Sequence, residues 1–475
     1  MASGSGIVAD SRQWLSSQGW AQPLKPLVRR VRRLVRPALW LPWGLVRAYQ
    51  TAALLRYFLW LKWVAASRIR VGPRGSGPSR IVMLVCSQLH VDPRVEREAR
   101  ALAGNGFLVT VICPAWYESG EERPKLNWGP GIDFRILPRA AGRFVYGFPY
   151  LFGAALLRSA LREDAQAYHA HDLNMALVAL VAAARKQAAC VCDFHEWYSE
   201  NVTYDEKVRS YRPHPLIKRC VYQAMERLAI RSATEVITVC ESIGQQLEKT
   251  YRAAKPIHII RNIPPLPRGT DPGDSRFTDL RRALGIAADR RIVLYQGGLG
   301  PSRNLEPIIR AMPMVRDAVF VIRGPGHETY ATDYLKLARA MGAGDKVFCL
   351  GPVPSAEVVA EARAADVGAW TLLSNVGLNF KLALPNKVFE YLAAGLPVLA
   401  ADLPEVRKLV QGYQVGLCFD PESPTSIAGA INQLVGDRSF WESCRANIPH
   451  ALQDLRADRE WDKLVGLYRG LMGQD

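Results

Sequence analysis

A lysine and a glutamate at helical spacing form the first candidate site. Lys387 precedes Glu390 by three residues in the segment Leu384–Ala400 (LPNKVFEYLAAGLPVLA), and this spacing places both side chains on one side of a helix. The helix is predicted to end at Gly395, and the apolar residues after Pro397 predict a buried strand. Such a pair at the start of a helix could bind a ligand that carries phosphate and ribose. A solvated surface ion pair is the alternative, and the local spacing alone favours it.

Two glycine-containing turns could complete a phosphate site. The first, Gln296-Gly-Gly-Leu-Gly300, follows the predicted strand Arg291–Tyr295 and is itself followed by Arg303. The second, Arg323-Gly-Pro-Gly326, follows the predicted strand Ala318–Ile322. Backbone amides in such turns, with an arginine beside each, could hold a diphosphate.

Polar side chains also follow two predicted strands of the N-terminal half, Ile81–Cys86 and Ala189–Phe194. They are His90, Asp92 and Arg94 after the first strand, and His195 and Glu196 after the second. The carboxyl edge of a parallel sheet is where ligands bind in doubly wound folds. These five residues are therefore candidates for a ligand-binding site at that edge. The alternative for His195 is a structural histidine at a strand end.

Strands alternate with helices through most of the 475 residues, which predicts two Rossmann-like, doubly wound α/β domains. We expect the first domain at residues 80–262 and the second at residues 276–455. Residues 263–275 are rich in Pro and Gly and predict a hinge between them. A helix in residues 456–475 is expected to pack back towards the first domain. The first strand-to-helix turn lacks the G-x-G-x-x-G pattern of dinucleotide sites.

Residues 1–79 predict a basic, aromatic helical arm and a linker. Most of the net charge of +17 lies in this arm, where Asp10 is the only acidic residue. Leu24–Arg36 places apolar side chains on one helical face and arginines on the other, and Leu39–Val64 is rich in Trp and Tyr. This pattern is typical of helices that lie in a membrane interface. Docking on a protein is the alternative, and nucleic-acid binding is not expected because phosphate contact requires no Trp clusters.

The sequence predicts a peripheral (monotopic) protein at the cytoplasmic face of the membrane. It contains no uncharged apolar stretch of the ~18–20 residues needed for a span and no signal-peptide pattern. The 9 cysteines lie mostly in apolar runs, as expected for reduced thiols. Cys190 and Cys192 lack a second pair, so no zinc site is expected. We expect no cofactor and no metal ion, and the sequence contains no Asp-x-Asp motif.

Residues 80–475 resemble the GT-B architecture of nucleotide-sugar glycosyltransferases, in which two Rossmann-like domains face a central cleft. The resemblance is strongest to glycosyltransferase family 4 (group 1). The motifs that carry it are Asp92–Ala99, Asp193–Glu196, Arg261-Asn262, Tyr295–Leu299 with Arg303, Arg323–Gly326, Pro385–Tyr391 and Gly395–Val398.

The resemblance implies a role for each candidate residue. Glu390 would accept hydrogen bonds from ribose hydroxyls, Arg303 and Lys387 would neutralise the leaving diphosphate, and His195 would act as a catalytic or sugar-contacting residue. The candidates for the acceptor side are His90, Asp92, Arg94, His195 and Glu196. The remaining donor-binding candidates are Gly297, Gly298, Arg323, Gly324, Gly326, Pro385 and Asn386. Positioned cations would thus take the place that a metal ion has in other transferases.

Two departures from the family pattern concern the sugar end of the site. Leu382 stands where the family often has a first glutamate, and Gly298 and Arg303 stand where it often has Arg and Lys. The expected activity is transfer from a UDP- or GDP-sugar to a lipid-linked or polysaccharide acceptor, with retention. The expected further partner is an anionic membrane surface, through residues 1–70. The alternatives are a nucleotide-sugar 2-epimerase and a non-catalytic scaffold.

Overall fold

The computed structural model describes residues 78–86, 92–114, 126–137, 150–205, 208, 210–264, 279–354, 357–373 and 377–474. The predicted arm, His90 and most of the predicted hinge lie outside the described residues. Among the described helices, none is long and apolar enough to cross a bilayer.

The first domain is built around one parallel sheet. Its strands are β1 (Arg80–Leu84), β2 (Leu108–Pro114), β3 (Ile132–Leu137), β4 (Ala167–His171), β5 (Ala189–Phe194), β8 (Glu235–Thr238) and β9 (His258–Ile259), with a separate antiparallel hairpin, β6 (Val202–Asp205) and β7 (Ser210–Pro213). The helices are α1 (Pro93–Gly104), α2 (Tyr150–Arg162), α3 (Leu173–Lys186), α4 (Leu216–Ser232) and α5 (Glu241–Tyr251).

The second domain repeats this plan. Its strands are β10 (Arg291–Gln296), β11 (Ala318–Arg323), β12 (Val347–Leu350), β13 (Val367–Trp370), β14 (Val398–Ala401) and β15 (Gly416–Phe419). The helices are α6 (Leu280–Leu284), α7 (Glu306–Ala311), α8 (His327–Ala340), α9 (Val358–Ala362), α10 (Leu378–Leu382), α11 (Asn386–Ala393), α12 (Pro404–Gly412), α13 (Pro424–Gly436), α14 (Arg438–Asp454) and α15 (Ala457–Met472).

Both sheets are doubly wound, which confirms the predicted fold class. The strand order is β3-β2-β1-β4-β5-β8-β9 in the first sheet and β12-β11-β10-β13-β14-β15 in the second. The direction of winding reverses between β1 and β4 and again between β10 and β13, where both neighbours pair in parallel. A crevice outside the carboxyl ends of the strands at such a reversal is where open α/β sheets bind ligands.

The inner strands are more deeply buried than the edge strands β3 and β12, because helices cover both faces of each sheet. β5 and β11 are fully buried at every position, and β11 contributes Val319, Phe320 and Val321 to the core of the second domain. This accounts for the continuous apolar runs in the sequence.

Several hydrogen bonds connect the first domain to the second. The Trp197 amide donates to the Asn379 side chain over 2.8 Å, and the Tyr211 hydroxyl donates to the Ser302 carbonyl over 2.8 Å. The Ser242 amide donates to Glu405 over 3.1 Å. Because the first two involve segments beyond the carboxyl ends of β5 and β10, the ligand-binding edges of the two sheets face each other.

The C-terminal helix α15 packs on α1 of the first domain. Leu464, Val465, Tyr468 and Met472 are buried in the same cluster as Val95 of α1. The Tyr468 hydroxyl also lies 2.8 Å from Nδ1 of His169 on β4. The chain therefore crosses back after the second domain and completes the core of the first.

We predict that Leu464→Ala lowers the free energy of unfolding by about 2–5 kcal/mol, because it removes a side chain of 0% exposure and leaves a cavity. Asp462→Ala, at an exposed position of the same helix, should change it by less than about 0.5 kcal/mol. Chemical denaturation monitored by circular dichroism measures both. Equal stability of the two variants would contradict the packing of α15 on the first domain.

Candidate active site

The two predicted glycine turns lie against each other at the reversal point of the second sheet. Gly297, directly after β10, has a φ of +147° and donates its amide to the Arg323 carbonyl over 2.9 Å. A Cβ on Gly324 would lie 2.0 Å from the Gly297 carbonyl oxygen, and one on Gly326 would lie 3.0 Å from the Leu299 oxygen. Glycine is required where backbones approach this closely.

The Lys387 side chain crosses from α11 onto this turn. A Cβ on Gly297 would lie 2.0 Å from Cε of Lys387 and 2.7 Å from its Nζ. The lysine is the second residue of α11, which begins at Asn386 after Pro385. The absence of a side chain at Gly297 therefore makes the space that the lysine occupies.

Lys387 and Glu390 are partly buried, which rules out the alternative of a solvated surface pair. Burial lowers the pKa of Lys387, the charge of Arg303 lowers it further, and Glu390 opposes both effects. Burial raises the pKa of Glu390, against the opposing charges of Lys387 and Arg97. Desolvated charges of this kind mark functional sites more often than surface ion pairs do.

Arg303 supplies a second cation beside the turn. It ends the short 3-10 helix Pro301–Arg303, and its Nη2 would lie 3.7 Å from a Cβ on Gly298. Two positive side chains and the backbone of Gly298 thus border one small region. This combination suits an anion such as a diphosphate.

Arg323 does not share this role, and the predicted donor contact is corrected. Its side chain is 2% exposed, and Nη1 lies 3.0 Å from Glu361. Its Nη2 donates to the Gln296 side chain. The arginine therefore braces the end of β10 from inside the domain. The sequence position of Arg323, at the end of an apolar strand, does not distinguish a buried ion-pair partner from a ligand contact.

Arg97 reaches the same region from the first domain, and the sequence analysis missed it. Its Nη1 donates to Asn262 over 3.3 Å, and Arg97 and Glu390 influence each other electrostatically. α1 and α11 belong to different domains, so no local pattern connects these two residues.

His195 lies between two carboxylates at the reversal point of the first sheet. Its Nε2 is 3.0 Å from Oδ2 of Asp193, and its Nδ1 is 3.4 Å from Oδ2 of Asp172. Burial lowers its pKa, but the two carboxylates outweigh burial and raise the pKa to about 9. His195 is therefore an imidazolium at neutral pH.

Arg94 is a structural cation, which corrects its placement on the acceptor side. Its side chain is 2% exposed, and Nε and Nη2 donate to the two oxygens of Asp193 over 2.9 Å each. Its Nη1 donates to the Ile260 carbonyl over 2.9 Å. The pair joins α1 to β5 and to the end of β9, beneath His195.

Four buried polar side chains, one of which is Asp193, lie together next to Arg94. Each offers one atom that could bind a metal ion, and these four atoms lie within 4.8 Å of one another. The four side chains are those of Glu98, His169, His171 and Asp193. The Arg94 guanidinium already supplies positive charge here, because it lies 3.0 Å from Glu98 as well as beside Asp193. Burial raises the pKa of Glu98 to about 8.

The other predicted residues have identified partners. Asp92 caps α1, where its Oδ1 accepts from the Val95 amide over 3.4 Å. Glu196 accepts from the Asn201 side chain, and burial raises its pKa. The carbonyl of Leu382 accepts from the Cys240 thiol over 3.0 Å. Leu382 thus lies at the contact between the two domains.

Two family models match the chain in succession. Residues 93–263 match the model described as Glycosyltransferase Family 4, and residues 276–451 match the model described as Glycosyl transferases group 1. The first match lies in the first domain, and the second match lies in the second domain.

Curated relatives match part of the chain at modest identity. An uncharacterised glycosyltransferase of Methanocaldococcus jannaschii is 26% identical over 248 residues, which cover 51% of this chain and 60% of the relative. A D-inositol 3-phosphate glycosyltransferase of Acidothermus cellulolyticus is 27% identical over 270 residues, which cover 54% and 55%. The chain therefore spans little more than half the length of these relatives.

Solved structures share the fold. Sucrose-phosphate synthase of Thermosynechococcus elongatus superposes with a TM-score of 0.64 at 17% identity, covering 84% of this chain and 100% of that one. The Anabaena protein HepE in complex with UDP-glucose gives a TM-score of 0.59 at 16% identity, covering 82% and 99%.

We predict that Gly297→Ala weakens UDP binding at least ~10-fold, because the new methyl group displaces Lys387 and costs a charge-assisted contact. Gly429→Ala on α13, away from the turn, is the control, since its Cβ would meet no atom within 4 Å. Calorimetric titration with UDP measures both variants. Similar affinities would show that Lys387 does not depend on this glycine.

Proposed function

Because the chain belongs to the glycosyltransferases of family 4 and group 1, we propose that it moves a sugar from a UDP- or GDP-sugar to a lipid-linked or polysaccharide acceptor at the membrane. Transfer with retention of anomeric configuration is part of this proposal and rests on the family resemblance. UDP is the first nucleotide to test, since the structurally similar HepE was solved in complex with UDP-glucose.

The packing of Lys387 on the Gly297 turn is the observation that carries the proposal. In sugar transfer the bond to the diphosphate breaks, and negative charge develops on the leaving phosphate. A cation fixed beside backbone amides stabilises that charge without having to reorganise. Lys387 and Arg303 fit this requirement, and the charge of Arg303 lowers the pKa of Lys387, as expected for two neighbouring cations.

Glu390 is assigned to the ribose of the donor. It lies three residues after Lys387 on α11, so a nucleotide whose phosphates meet the lysine would place its ribose near the next turn of the helix. A carboxylate accepts two hydrogen bonds from a vicinal diol. Arg97 would then help to keep Glu390 ionised from the opposite domain.

The acceptor class rests on the basic, Trp-rich sequence of residues 1–70. An enzyme held in the interface by such an arm would meet lipid-linked acceptors without extracting them from the bilayer. This part of the proposal is independent of the donor site, so each needs its own experiment.

We predict that Lys387→Ala lowers sugar transfer roughly 100-fold or more through kcat/KM, because it removes a cation that acts on the developing charge. Glu390→Ala should also reduce transfer strongly, mainly by raising the KM for the donor. Lys336→Ala, at an exposed position on α8, is the control. The assay combines purified protein, a membrane extract and a panel of UDP- and GDP-sugars, and measures release of the nucleotide.

Near-normal turnover in both site variants would remove the donor-site assignment. Consumption of the nucleotide sugar without release of nucleotide would indicate a 2-epimerase instead. Release from one sugar nucleotide of the panel would identify the donor at the same time.

We predict that deletion of residues 1–75 moves the protein from the membrane fraction to the soluble fraction, because the apolar and basic contacts to the bilayer are lost. A second, full-length variant separates the contribution of charge to membrane binding from that of apolar burial. It carries Gln in place of Arg29, Arg30, Arg32, Arg33 and Arg36, and it should bind anionic vesicles less tightly than wild type. Sedimentation with vesicles measures both. Unchanged membrane association of the deleted protein would contradict the role of the arm.

A further inference from the structure

The geometry points to Asp172 as the residue of the first domain that binds the acceptor, through a hydroxyl or amine group and not through a phosphate. This inference rests on the proposed function, because it assumes that the acceptor enters opposite the donor site. Asp172 is not among the residues that the sequence pattern predicts for the acceptor side, and its chemistry limits the acceptor to a class of compounds.

Asp172 occupies the reversal point of the first sheet. It directly follows the last residue of β4, which pairs with β1. The strand order runs outwards from β1 to β3 on one side of this pair and from β4 to β9 on the other. Ligands in doubly wound folds enter at this place. The reversal point of the second sheet holds the Gly297 turn, which follows β10.

The backbone of Asp172 adopts a strained conformation that capping of α3 does not explain. Its φ is +66°, which is unusual for a residue with a side chain. It precedes α3 as the N-cap residue, yet its carboxylate makes no capping hydrogen bond. Strained residues of this kind cluster at functional sites. The carboxylate is thus directed to partners other than the helix that follows.

Those partners leave part of the carboxylate accessible. Oδ1 accepts from the His195 amide over 3.2 Å, Oδ2 lies 3.4 Å from Nδ1 of His195, and Tyr198 also hydrogen-bonds to Asp172. The Asp172 side chain is 27% exposed, whereas that of Asp193 on the other side of His195 is 0% exposed. A carboxylate has about four acceptor positions, so Asp172 can accept a further hydrogen bond.

His195 is the less suitable contact because carboxylates face both of its ring nitrogens. Its role is to neutralise Asp172 and Asp193 from between them. Burial raises the pKa of Asp172, and the imidazolium opposes that rise. The group presented to a ligand is therefore an oxygen acceptor and not an imidazole donor.

The chemistry of this surface selects the acceptor. Glu196 follows His195, and the charges of Asp172 and Glu196 act on each other. Neighbouring carboxylate oxygens accept hydrogen bonds from hydroxyl and ammonium groups and repel phosphates. Glucose or glucosamine should therefore bind better than glucose 6-phosphate. The relative from Acidothermus cellulolyticus, by its name, acts on a phosphorylated inositol, so this chain is expected to differ from it in acceptor.

The test compares wild type, Asp172→Asn and Asp133→Asn. Asp133 on β3 is the matched control, with a side chain that is 62% exposed. UDP binding is measured first by calorimetry. Glucose, glucosamine and glucose 6-phosphate are then titrated into each UDP-saturated protein and followed by nuclear magnetic resonance. Asn has the same shape as Asp, and thermal melting verifies that each variant folds.

We expect Asp172→Asn to weaken glucosamine binding at least ~10-fold, to weaken glucose binding less, and to leave UDP binding unchanged. The discrimination against glucose 6-phosphate should shrink, which a purely structural role would not produce. The Asp133 variant should match wild type. The inference is overturned if the Asp172 variant binds all three sugars as wild type does, if glucose 6-phosphate binds wild type most tightly, or if wild type binds none. Absence of UDP binding to wild type would overturn the proposed function instead.

Discussion

The contact between the Lys387 side chain and the Gly297 turn is the constraint on which the candidate site depends. A residue with any side chain at position 297 would occupy the place of the lysine, since Cβ would lie 2.0 Å from Cε. The contact fixes α11 against the end of β10 and partly desolvates an amine. Arg303 and Glu390 both act electrostatically on that amine. Two cations, Lys387 and Arg303, therefore lie near the point where the second sheet changes direction.

The first domain presents the opposite chemistry at the equivalent place. Its two cations there, Arg94 and His195, are each held by carboxylates, whereas the acidic side chains of Asp172 and Glu196 remain partly exposed. Burial of the Arg94 charge costs free energy, and the hydrogen bonds that Arg94 donates to Asp193 and to the Ile260 carbonyl offset this cost. One wall of the cleft thus suits phosphate, and the other suits hydroxyl or amine groups. A transferase that joins a phosphorylated donor to a polar acceptor requires this division.

Local sequence patterns were sufficient for the two domains, the glycine turns and the Lys387–Glu390 pair, because each depends on residues close together in the chain. They failed where the environment decides the role of a charge. Arg94 and Arg323 looked like ligand contacts, but both are buried ion-pair partners, and Asp193 lies 99 residues from Arg94 in the sequence. Asp172 was passed over because its strained backbone and exposed carboxylate are visible only in three dimensions.

A crystal structure of the protein with UDP tests the central claim most directly. We predict that the diphosphate lies between the amide of Gly298 and the side chains of Arg303 and Lys387, with the ribose hydroxyls on Glu390. Binding of the diphosphate at the carboxyl end of β4, beside Asp172, would contradict it. So would a ribose that does not contact α11.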